Sequence, residues 1–242
     1  EMAKTCFETT LSINPENLSG TLGLGIYFFE TANFEKAREY YDKSLMINKD
    51  SFWSTFNIGL LEILQGNFKK GITLYEKRDK QMFLKKYGGE GYPEMKQEDL
   101  VPGDDIKKIV IMKEQGFGDD IMFSRYLKPF KELGHKITFL AGPELLDLFK
   151  LSPDLDDVEI TNSLPEMDPT SFHYRAFLLS LPYLTLKHIK DKPPPLNIDM
   201  TKMDESKITF PEKIKKLLQT KKLKVGISWS GNPKHWRDGN RS

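Results

Sequence analysis

Cysteine is scarce in this sequence of 242 residues, and neither sign of charge is in excess. The single cysteine, Cys6, excludes an internal disulfide framework and fits a reducing compartment. Lysine and arginine together number 36, and aspartate and glutamate number 35, so the two signs nearly cancel. A basic excess would indicate a nucleic-acid partner and an acidic excess a solvating tail, and we expect neither.

Long apolar runs are also missing. A helix that spans a bilayer needs about 20 predominantly apolar residues, and no stretch of the sequence provides them, so we expect no transmembrane segment. The sequence shows no signal peptide, and it starts with Glu1 instead of methionine. We therefore expect the chain to begin inside a longer protein, and its length favours two modest domains.

A repeat covers residues 1–78. Residues 12–17 (Ser-Ile-Asn-Pro-Glu-Asn) resemble residues 46–51 (Met-Ile-Asn-Lys-Asp-Ser) at an offset of 34 residues. The same offset joins small residues to small ones and aromatic residues to aromatic ones: Ala3 to Ala37 and Gly71, Gly25 to Gly59, and Phe7 to Tyr41 and Tyr75. This period is that of the tetratricopeptide repeat, which is a pair of helices. We expect the chain to open in the second helix of one repeat and to continue with two further pairs.

Two roles for the repeats stay open. Stacked helical repeats form a curved surface whose concave face often binds peptides, which would make this segment a partner-binding surface. The alternative is that these repeats only brace the next domain, because stability usually needs about three or more of them. Residues 79–106 follow as an expected linker without a chemical role, since glycine and proline exclude a helix at residues 88–93 and mark a turn at residues 102–103.

A strand, a glycine turn and a helix are predicted next. Residues 109–112 are apolar, Gly116 and Gly118 form the turn, and the helix has apolar residues at Ile121, Met122, Tyr126, Leu127 and Phe130. The free N–H groups at such a helix start bind anions, and glycine lets a ligand approach the backbone. The alternative is a tight turn in which Asp119 is the helix N-cap. We expect the neighbouring Asp120 to be a solvated carboxylate of the first helical turn.

The same alternation continues. Strands are predicted at residues 136–140 and 158–160, a helix at residues 143–151, and a strand that passes into a loop at residues 172–182. This order implies a parallel sheet covered by helices, whose ligands sit at the carboxyl ends of the strands. We expect three loops to meet there: residues 115–119, the loop after Leu140, and the loop near His173.

The last part of the chain starts another element. A helix is predicted at residues 211–220 and a strand at residues 223–230, followed by a polar loop that carries cations. We interpret residues 107–205 as one α/β lobe and residues 206–242 as the start of a truncated second lobe. The predicted fold class is therefore α + α/β, with helical repeats followed by a parallel-sheet lobe.

Several motifs follow one another across the chain. They lie at residues 71–78, 114–119, 123–126, 179–182 and 225–233, together with His173, Asp238 and Arg241. In this order they resemble the motifs of bacterial tetratricopeptide-repeat glycosyltransferases related to the heptosyltransferases and, more distantly, O-linked N-acetylglucosamine transferases. The resemblance implies the GT-B architecture, in which two Rossmann-like lobes face each other, the first holding the acceptor and the second the nucleotide-sugar.

The resemblance also implies roles for individual residues. Asp119 would be the general base that takes the proton of the acceptor hydroxyl as its oxygen attacks the anomeric carbon. The residues expected to bind substrate are Gln115, Gly116, Gly118, Arg125 and His173. Those expected to bind the donor phosphates are Ser230, Asn232, Arg237 and Arg241. For His173 a purely structural role is the alternative. No metal or other cofactor is expected beside the nucleotide-sugar.

Two functions remain as hypotheses. The first is a glycosyltransferase fragment, inactive alone, whose parent protein moves a sugar from a nucleotide-sugar to a glycan, lipid-linked or protein acceptor. The second is a scaffold protein whose repeats capture a peptide or protein and whose α/β lobe has no turnover. The expected location is the cytoplasm, with peripheral attachment to the inner membrane left open.

Overall fold

The computed structural model describes residues 2–87, 89–100, 106–163, 171–188 and 194–202. The chain divides into two compact units, residues 1–200 and residues 201–242. Of the second unit, only Thr201 and Lys202 are among the described residues. In the described ranges, no helix is both long enough and apolar enough to cross a membrane.

Five helices form an antiparallel layer at the start of the chain. They are α1 (Met2–Ile13), α2 (Leu18–Glu30), α3 (Phe34–Ile47), α4 (Phe52–Leu64) and α5 (Phe68–Tyr75). The starts of α2 and α4 are 34 residues apart, and so are those of α3 and α5. The helix boundaries therefore follow the period of the sequence.

Polar caps explain where these helices begin. The side chain of Asn17 accepts a hydrogen bond from the Gly20 N–H at 2.8 Å, and that of Asn33 accepts one from the Lys36 N–H at 3.2 Å. Ser51 caps α4 in the same way through the Ser54 N–H. Each cap satisfies one of the N–H groups that a helix start leaves without a partner.

Two glycines allow the backbones of α4 and α5 to approach each other closely. A Cβ atom on Gly59 would lie 2.8 Å from the Tyr75 backbone nitrogen and 3.0 Å from the Gly71 carbonyl oxygen. A Cβ atom on Gly71 would lie 2.8 Å from the Gly59 carbonyl oxygen. These neighbours are backbone atoms and cannot rotate away, which explains the small residues that recur in the repeat.

A four-stranded parallel sheet follows the helical layer. Its strands are β1 (Lys108–Met112), β2 (Lys136–Leu140), β3 (Glu159–Thr161) and β4 (Tyr174–Phe177), in the spatial order β3-β2-β1-β4. The helices between and after the strands are α7 (Phe117–Ser124), α8 (Leu127–Lys131), α9 (Leu146–Lys150) and α10 (Leu181–Leu184). Both strand pairings of β1 are parallel, with Ile109 opposite Ile137 and Tyr174.

The sheet is buried on both faces. Ile109 and Ile111 belong to one core cluster with Phe130 and Leu181, whereas Val110 and Met112 belong to another with Leu84. Successive residues of a strand point to opposite faces, so a run of buried residues needs a cover on each side.

The predicted linker lies against the sheet and supplies the second cover. Residues 79–106 contain a helix, α6 (Gln81–Tyr87), that was not predicted, and Leu84 of this helix packs on the sheet. Beyond it, the Met95 N–H donates to the Arg175 carbonyl oxygen at 2.8 Å, and the Arg175 N–H donates to that of Pro93 at 2.9 Å. The segment therefore pairs with β4 at the edge of the sheet.

Three other boundaries differ from the predictions. The predicted helix at residues 143–151 is a 3-10 turn, Pro143–Leu145, followed by α9. The segment 172–182 contains β4 and then turns into a 3-10 turn, Leu178–Ser180, and α10. The third strand begins one residue later than predicted, at Glu159. Short apolar runs fit a strand and a helix equally well, so packing decides their boundaries.

A buried ion pair joins the helical layer to the sheet. The Arg78 Nε and Nη2 atoms donate to the two carboxylate oxygens of Glu114 at 2.8 and 2.5 Å. The Leu179 N–H also donates to Glu114, at 3.2 Å, and Arg78 Nη2 reaches the Ser180 hydroxyl at 3.0 Å. Arg78 directly follows the helical layer, Glu114 follows β1, and the other two residues follow β4, so the pair fixes these three segments together.

Removal of one partner of this pair should be strongly destabilising. We expect Arg78→Met and Glu114→Leu each to lower the free energy of unfolding by about 3–5 kcal/mol. The first leaves the Glu114 carboxylate buried without its guanidinium, and the second removes the carboxylate that binds two nitrogens of the buried Arg78 guanidinium. The double variant Arg78→Met/Glu114→Leu should lose less than the sum, since it leaves no lone charge. Urea unfolding of the four proteins measures this, and additive losses would contradict the pairing.

The glycine contact between α4 and α5 gives a second stability prediction. We expect Gly59→Ala to lower the free energy of unfolding by about 1–3 kcal/mol, because its methyl group meets backbone atoms. The matched control is Gly118→Ala in α7, where an added Cβ meets nothing within 4 Å. That variant should be neutral or stabilising by up to about 1 kcal/mol, and equal losses in the two variants would contradict the close approach.

Candidate functional site

Two of the three predicted loops meet at the carboxyl edge of the sheet. In a parallel sheet the carboxyl ends of all strands lie at one edge, and β1 and β2 end there at Met112 and Leu140. A Cβ atom on Gly142, after β2, would lie 3.4 Å from a ring carbon of Phe117 and 3.6 Å from the Lys113 ammonium nitrogen. The segment after β1 therefore lies against the segment after β2, as expected.

His173 lies at the other edge, so the expectation that its loop joins these two is wrong. The Lys108 N–H donates to His173 Nδ1 at 2.9 Å, and the His173 N–H donates to the Lys108 carbonyl oxygen at 2.8 Å. Lys108 is the first residue of β1, and His173 precedes β4, so both mark the amino edge. The segment that reaches the carboxyl edge after β4 is the turn Leu178–Ser180. His173 therefore binds the backbone of Lys108, which agrees with a purely structural role for this residue.

The glycine turn is open, and Asp119 stabilises it. Gly116 is the N-cap of α7, and its N–H donates to Asp119 Oδ2 at 3.2 Å. Asp119 is thus the third helical residue, reaching back to the cap instead of being the N-cap itself. Gly116 and Gly118 are exposed, and a Cβ atom on Gly118 would meet nothing within 4 Å. Packing does not require glycine here, whereas close approach of a ligand would.

Asp120 is buried, so the expectation of a solvated carboxylate is wrong. Its relative exposure is 1 %, and within the described part of the chain its Oδ1 has no hydrogen-bond partner. Burial raises the pKa of Asp120 to about 7, and the charges of Asp119 and Glu114 act in the same direction against the attraction of Lys113. Asp120 therefore binds or releases a proton near neutral pH, beside the exposed turn.

Gln115 and Arg125 lie beyond opposite ends of α7. Gln115 precedes the turn, and its Nε2 donates to the Tyr75 hydroxyl at 3.3 Å. Arg125 is the C-cap of α7, where its Nε donates to the Met122 carbonyl oxygen at 2.7 Å. A helix rises about 1.5 Å per residue, so α7 carries Arg125 away from Gly116. The structure therefore brings Gln115, Gly116, Gly118 and Asp119 together and leaves Arg125 and His173 outside this group.

Tyr75 also belongs to the site, whereas the sequence indicated only that it is an aromatic position of the 34-residue repeat. Its ring lies 5.1 Å below the Arg78 guanidinium, and its hydroxyl accepts from Gln115. Burial raises the pKa of Tyr75 to about 12, and the charges of Glu114 and Asp119 add to this, so the phenol stays protonated. Its place in the 34-residue repeat revealed the buried ring but not the hydroxyl at the end of α5.

Lys113 places a cation between the segments that follow β1 and β2. Its ammonium lies 5.3 Å from the centre of the Tyr87 ring, and the Lys86 ammonium lies 5.0 Å from the same ring. Lys113 also interacts with the carboxyl group of Asp120. The site thus contains an exposed backbone turn, a half-buried carboxylate, a buried carboxyl group that titrates near neutrality and a lysine.

The candidates for donor phosphate binding lie outside the described residues; these are Ser230, Asn232, Arg237 and Arg241. No protein-family model, curated protein or solved structure matches this chain.

The buried carboxyl group of Asp120 gives a pH-dependent prediction. The unfolded chain should titrate at this residue near pH 4, and the folded chain at about 7. The stability that comes from the neutral carboxyl is therefore fully present below about pH 4 and is lost as the pH rises to about 7. We expect the free energy of unfolding of Asp120→Asn, relative to the original protein, to improve across this window by up to about 1.4 kcal/mol per pH unit.

Urea unfolding at about pH 5 and about pH 8 measures this difference. The matched control is Asp147→Asn in α9, whose carboxylate is 81 % exposed. That variant should show no such trend. A pH-independent difference for Asp120→Asn would contradict the raised pKa.

Proposed function

We propose that this chain belongs to a glycosyltransferase that moves a sugar from a nucleotide-sugar to a hydroxyl acceptor. In this proposal the helical layer consists of tetratricopeptide repeats, and the parallel sheet is the Rossmann-like first lobe of a GT-B enzyme. The equal offsets of the helix starts support the first assignment. The order β3-β2-β1-β4, with helices in the connections from β1 to β2 and from β2 to β3, supports the second.

One observation carries the proposal: an open glycine turn with a carboxylate at the carboxyl edge of a parallel sheet. Ligands of such sheets bind at this edge. Asp119 uses Oδ2 for the Gly116 N–H, and within the described residues its Oδ1 makes no hydrogen bond. A carboxylate that is positioned by one oxygen and open at the other is suited to accept a proton.

The reaction follows from this arrangement. Asp119 takes the proton of the acceptor hydroxyl while the oxygen forms a bond to the anomeric carbon of the donor. The bond from that carbon to the diphosphate breaks, and the nucleotide diphosphate leaves with the electron pair. The N–H groups of the first turn of α7 and the Lys113 ammonium would stabilise this charge. The four sequence-predicted phosphate ligands, Ser230, Asn232, Arg237 and Arg241, remain part of the proposal.

A binding protein without turnover is the second candidate. The helical layer exposes large apolar side chains, among them Met46 at 84 % and Leu64 at 60 %. Exposed apolar residues on stacked helices suit a peptide or protein partner. This function would leave the open turn and Asp119 without a role.

The test is release of nucleotide diphosphate by the longest natural protein that contains this chain. We expect release from one member of a panel of nucleotide-sugars, and a loss of about 10²–10⁴-fold in rate for Asp119→Asn, because the general base is removed. The control is Asp147→Asn, which changes an exposed carboxylate on α9 and should keep the rate. An Asp119→Asn variant with the original rate would reject Asp119 as the base, and a folded protein without release from any donor would favour the binding function.

A further inference from the structure

A row of aromatic side chains leads across the helical layer to the glycine turn. The row consists of Phe52, Trp53 and Phe56 of α4 and Tyr75 of α5. The ring centres of Phe52 and Trp53 are 4.4 Å apart, those of Trp53 and Phe56 are 6.3 Å apart, and those of Phe56 and Tyr75 are 5.2 Å apart. Each ring contacts the next, so the row is continuous.

The two ends of the row differ. Trp53 lies in the first turn of α4, and 54 % of its surface is exposed. Tyr75 is the last residue of α5 and is buried, and its hydroxyl accepts the hydrogen bond of Gln115. Because α4 and α5 are antiparallel, the start of one lies beside the end of the other. The row therefore begins at the surface and ends at the residue before Gly116.

The row also ends close to the proposed base, because Gln115 is bonded to Tyr75 and the next residue, Gly116, donates its N–H to Asp119. The phenol of Tyr75 interacts electrostatically with the carboxylate of Asp119. A ligand that lies on the exposed Trp53 and crosses the half-buried Phe56 is directed toward the exposed Gln115, whose amide is bonded to the buried Tyr75. The side chains of Gln115 and Asp119 offer an amide and a carboxylate, which are hydrogen-bonding partners of hydroxyl groups.

The chemistry of the row selects a neutral ligand with apolar faces and hydroxyl groups at its edges. None of its four side chains is charged at neutral pH, and the nearest guanidinium, Arg78, is held by Glu114 and Glu76. The negative face of an aromatic ring attracts the C–H groups of a flat partner. A pyranose ring has such C–H faces and carries hydroxyl groups around them.

We propose that this row is an acceptor subsite, in which a sugar ring of a glycan stacks on Trp53 and the chain runs over Phe56 toward Gln115 and Asp119. The proposal rests on the transferase function, and it specifies a glycan as the acceptor. A peptide on the same surface is the competing outcome.

The test measures binding without any donor, so it does not depend on turnover. The full chain is titrated calorimetrically with three neutral hexasaccharides, built of glucose, mannose or N-acetylglucosamine. We expect one of them to bind, Trp53→Ala to weaken its binding about tenfold, and Trp53→Phe to retain most of it, because a phenyl ring still stacks. The control is Met82→Ala, which removes an exposed side chain of α6, outside the helical layer, and should bind as the original does.

Three results would overturn the subsite: no binding of any of the hexasaccharides, equal binding by Trp53→Ala, or peptides from a display library that require Trp53 while the sugars do not bind. Release of nucleotide diphosphate in the absence of sugar binding would reject the subsite and leave the transferase standing. Trp53-dependent sugar binding in a protein without release would keep the subsite as a glycan-binding site and reject the transferase.

Discussion

The buried pair of Arg78 and Glu114 is the interaction on which the arrangement of the site depends. Two buried charges are costly unless each is fully hydrogen-bonded. Glu114 accepts from two nitrogens of the guanidinium and from the Leu179 N–H, and Arg78 also reaches Ser180 and Glu76. Burial alone would lower the pKa of Arg78, but the carboxylate of Glu114 raises it above its usual value. Burial raises the pKa of Glu114, and the hydrogen bonds and charge of Arg78 oppose that rise.

This pair sets the position of the glycine turn relative to the helical layer. Glu114 immediately precedes Gln115. Its carboxylate is bonded to Arg78, three residues after the end of α5, and to the turn after β4. Tyr75 makes a second connection between the same two segments through the Gln115 amide. The helical layer is thus part of the site and not only an appendage of the sheet.

The neighbouring aspartates of α7 show how one helical step separates two chemical roles. Adjacent residues of a helix point about 100° apart, so the two carboxyl groups enter different surroundings. Asp119 turns back to the Gly116 N–H at the open side, whereas Asp120 turns inward, where α7 packs on the turn Leu178–Ser180. Burial then raises the pKa of Asp120 by desolvation. The two neighbouring aspartate side chains thus lie in surroundings that favour different protonation states.

The elements that carry a period were predictable from the sequence. The 34-residue offset predicted helix pairs of one period, and the starts of α2 to α5 follow that period. The apolar runs predicted the first three strands to within one residue, whereas the segment predicted at residues 172–182 contains the shorter strand Tyr174–Phe177. The loop after β1 and the loop after β2 were also placed together correctly, because parallel strands share a carboxyl edge.

The errors concern features that depend on distant contacts. Asp120 is buried in a helix that packs on the turn Leu178–Ser180, about 60 positions later in the chain, and no local pattern contains that information. His173 was placed at the wrong edge because the strand begins after it, at Tyr174. Helix α6 was missed because its seven residues are too short to show a period, and the sheet face that it covers stabilises it. The hydroxyl of Tyr75 was likewise visible only in the folded chain.

The most direct measurement is a crystal structure of the longest natural protein that contains this chain, with a non-hydrolysable nucleotide-sugar and the best-binding hexasaccharide. We predict an acceptor hydroxyl about 2.6–3.2 Å from an oxygen of Asp119, with the glycan on the side of Trp53. Ligands bound at the amino edge near His173, or a glycan whose nearest hydroxyl group is remote from Asp119, would contradict the assignment of the site.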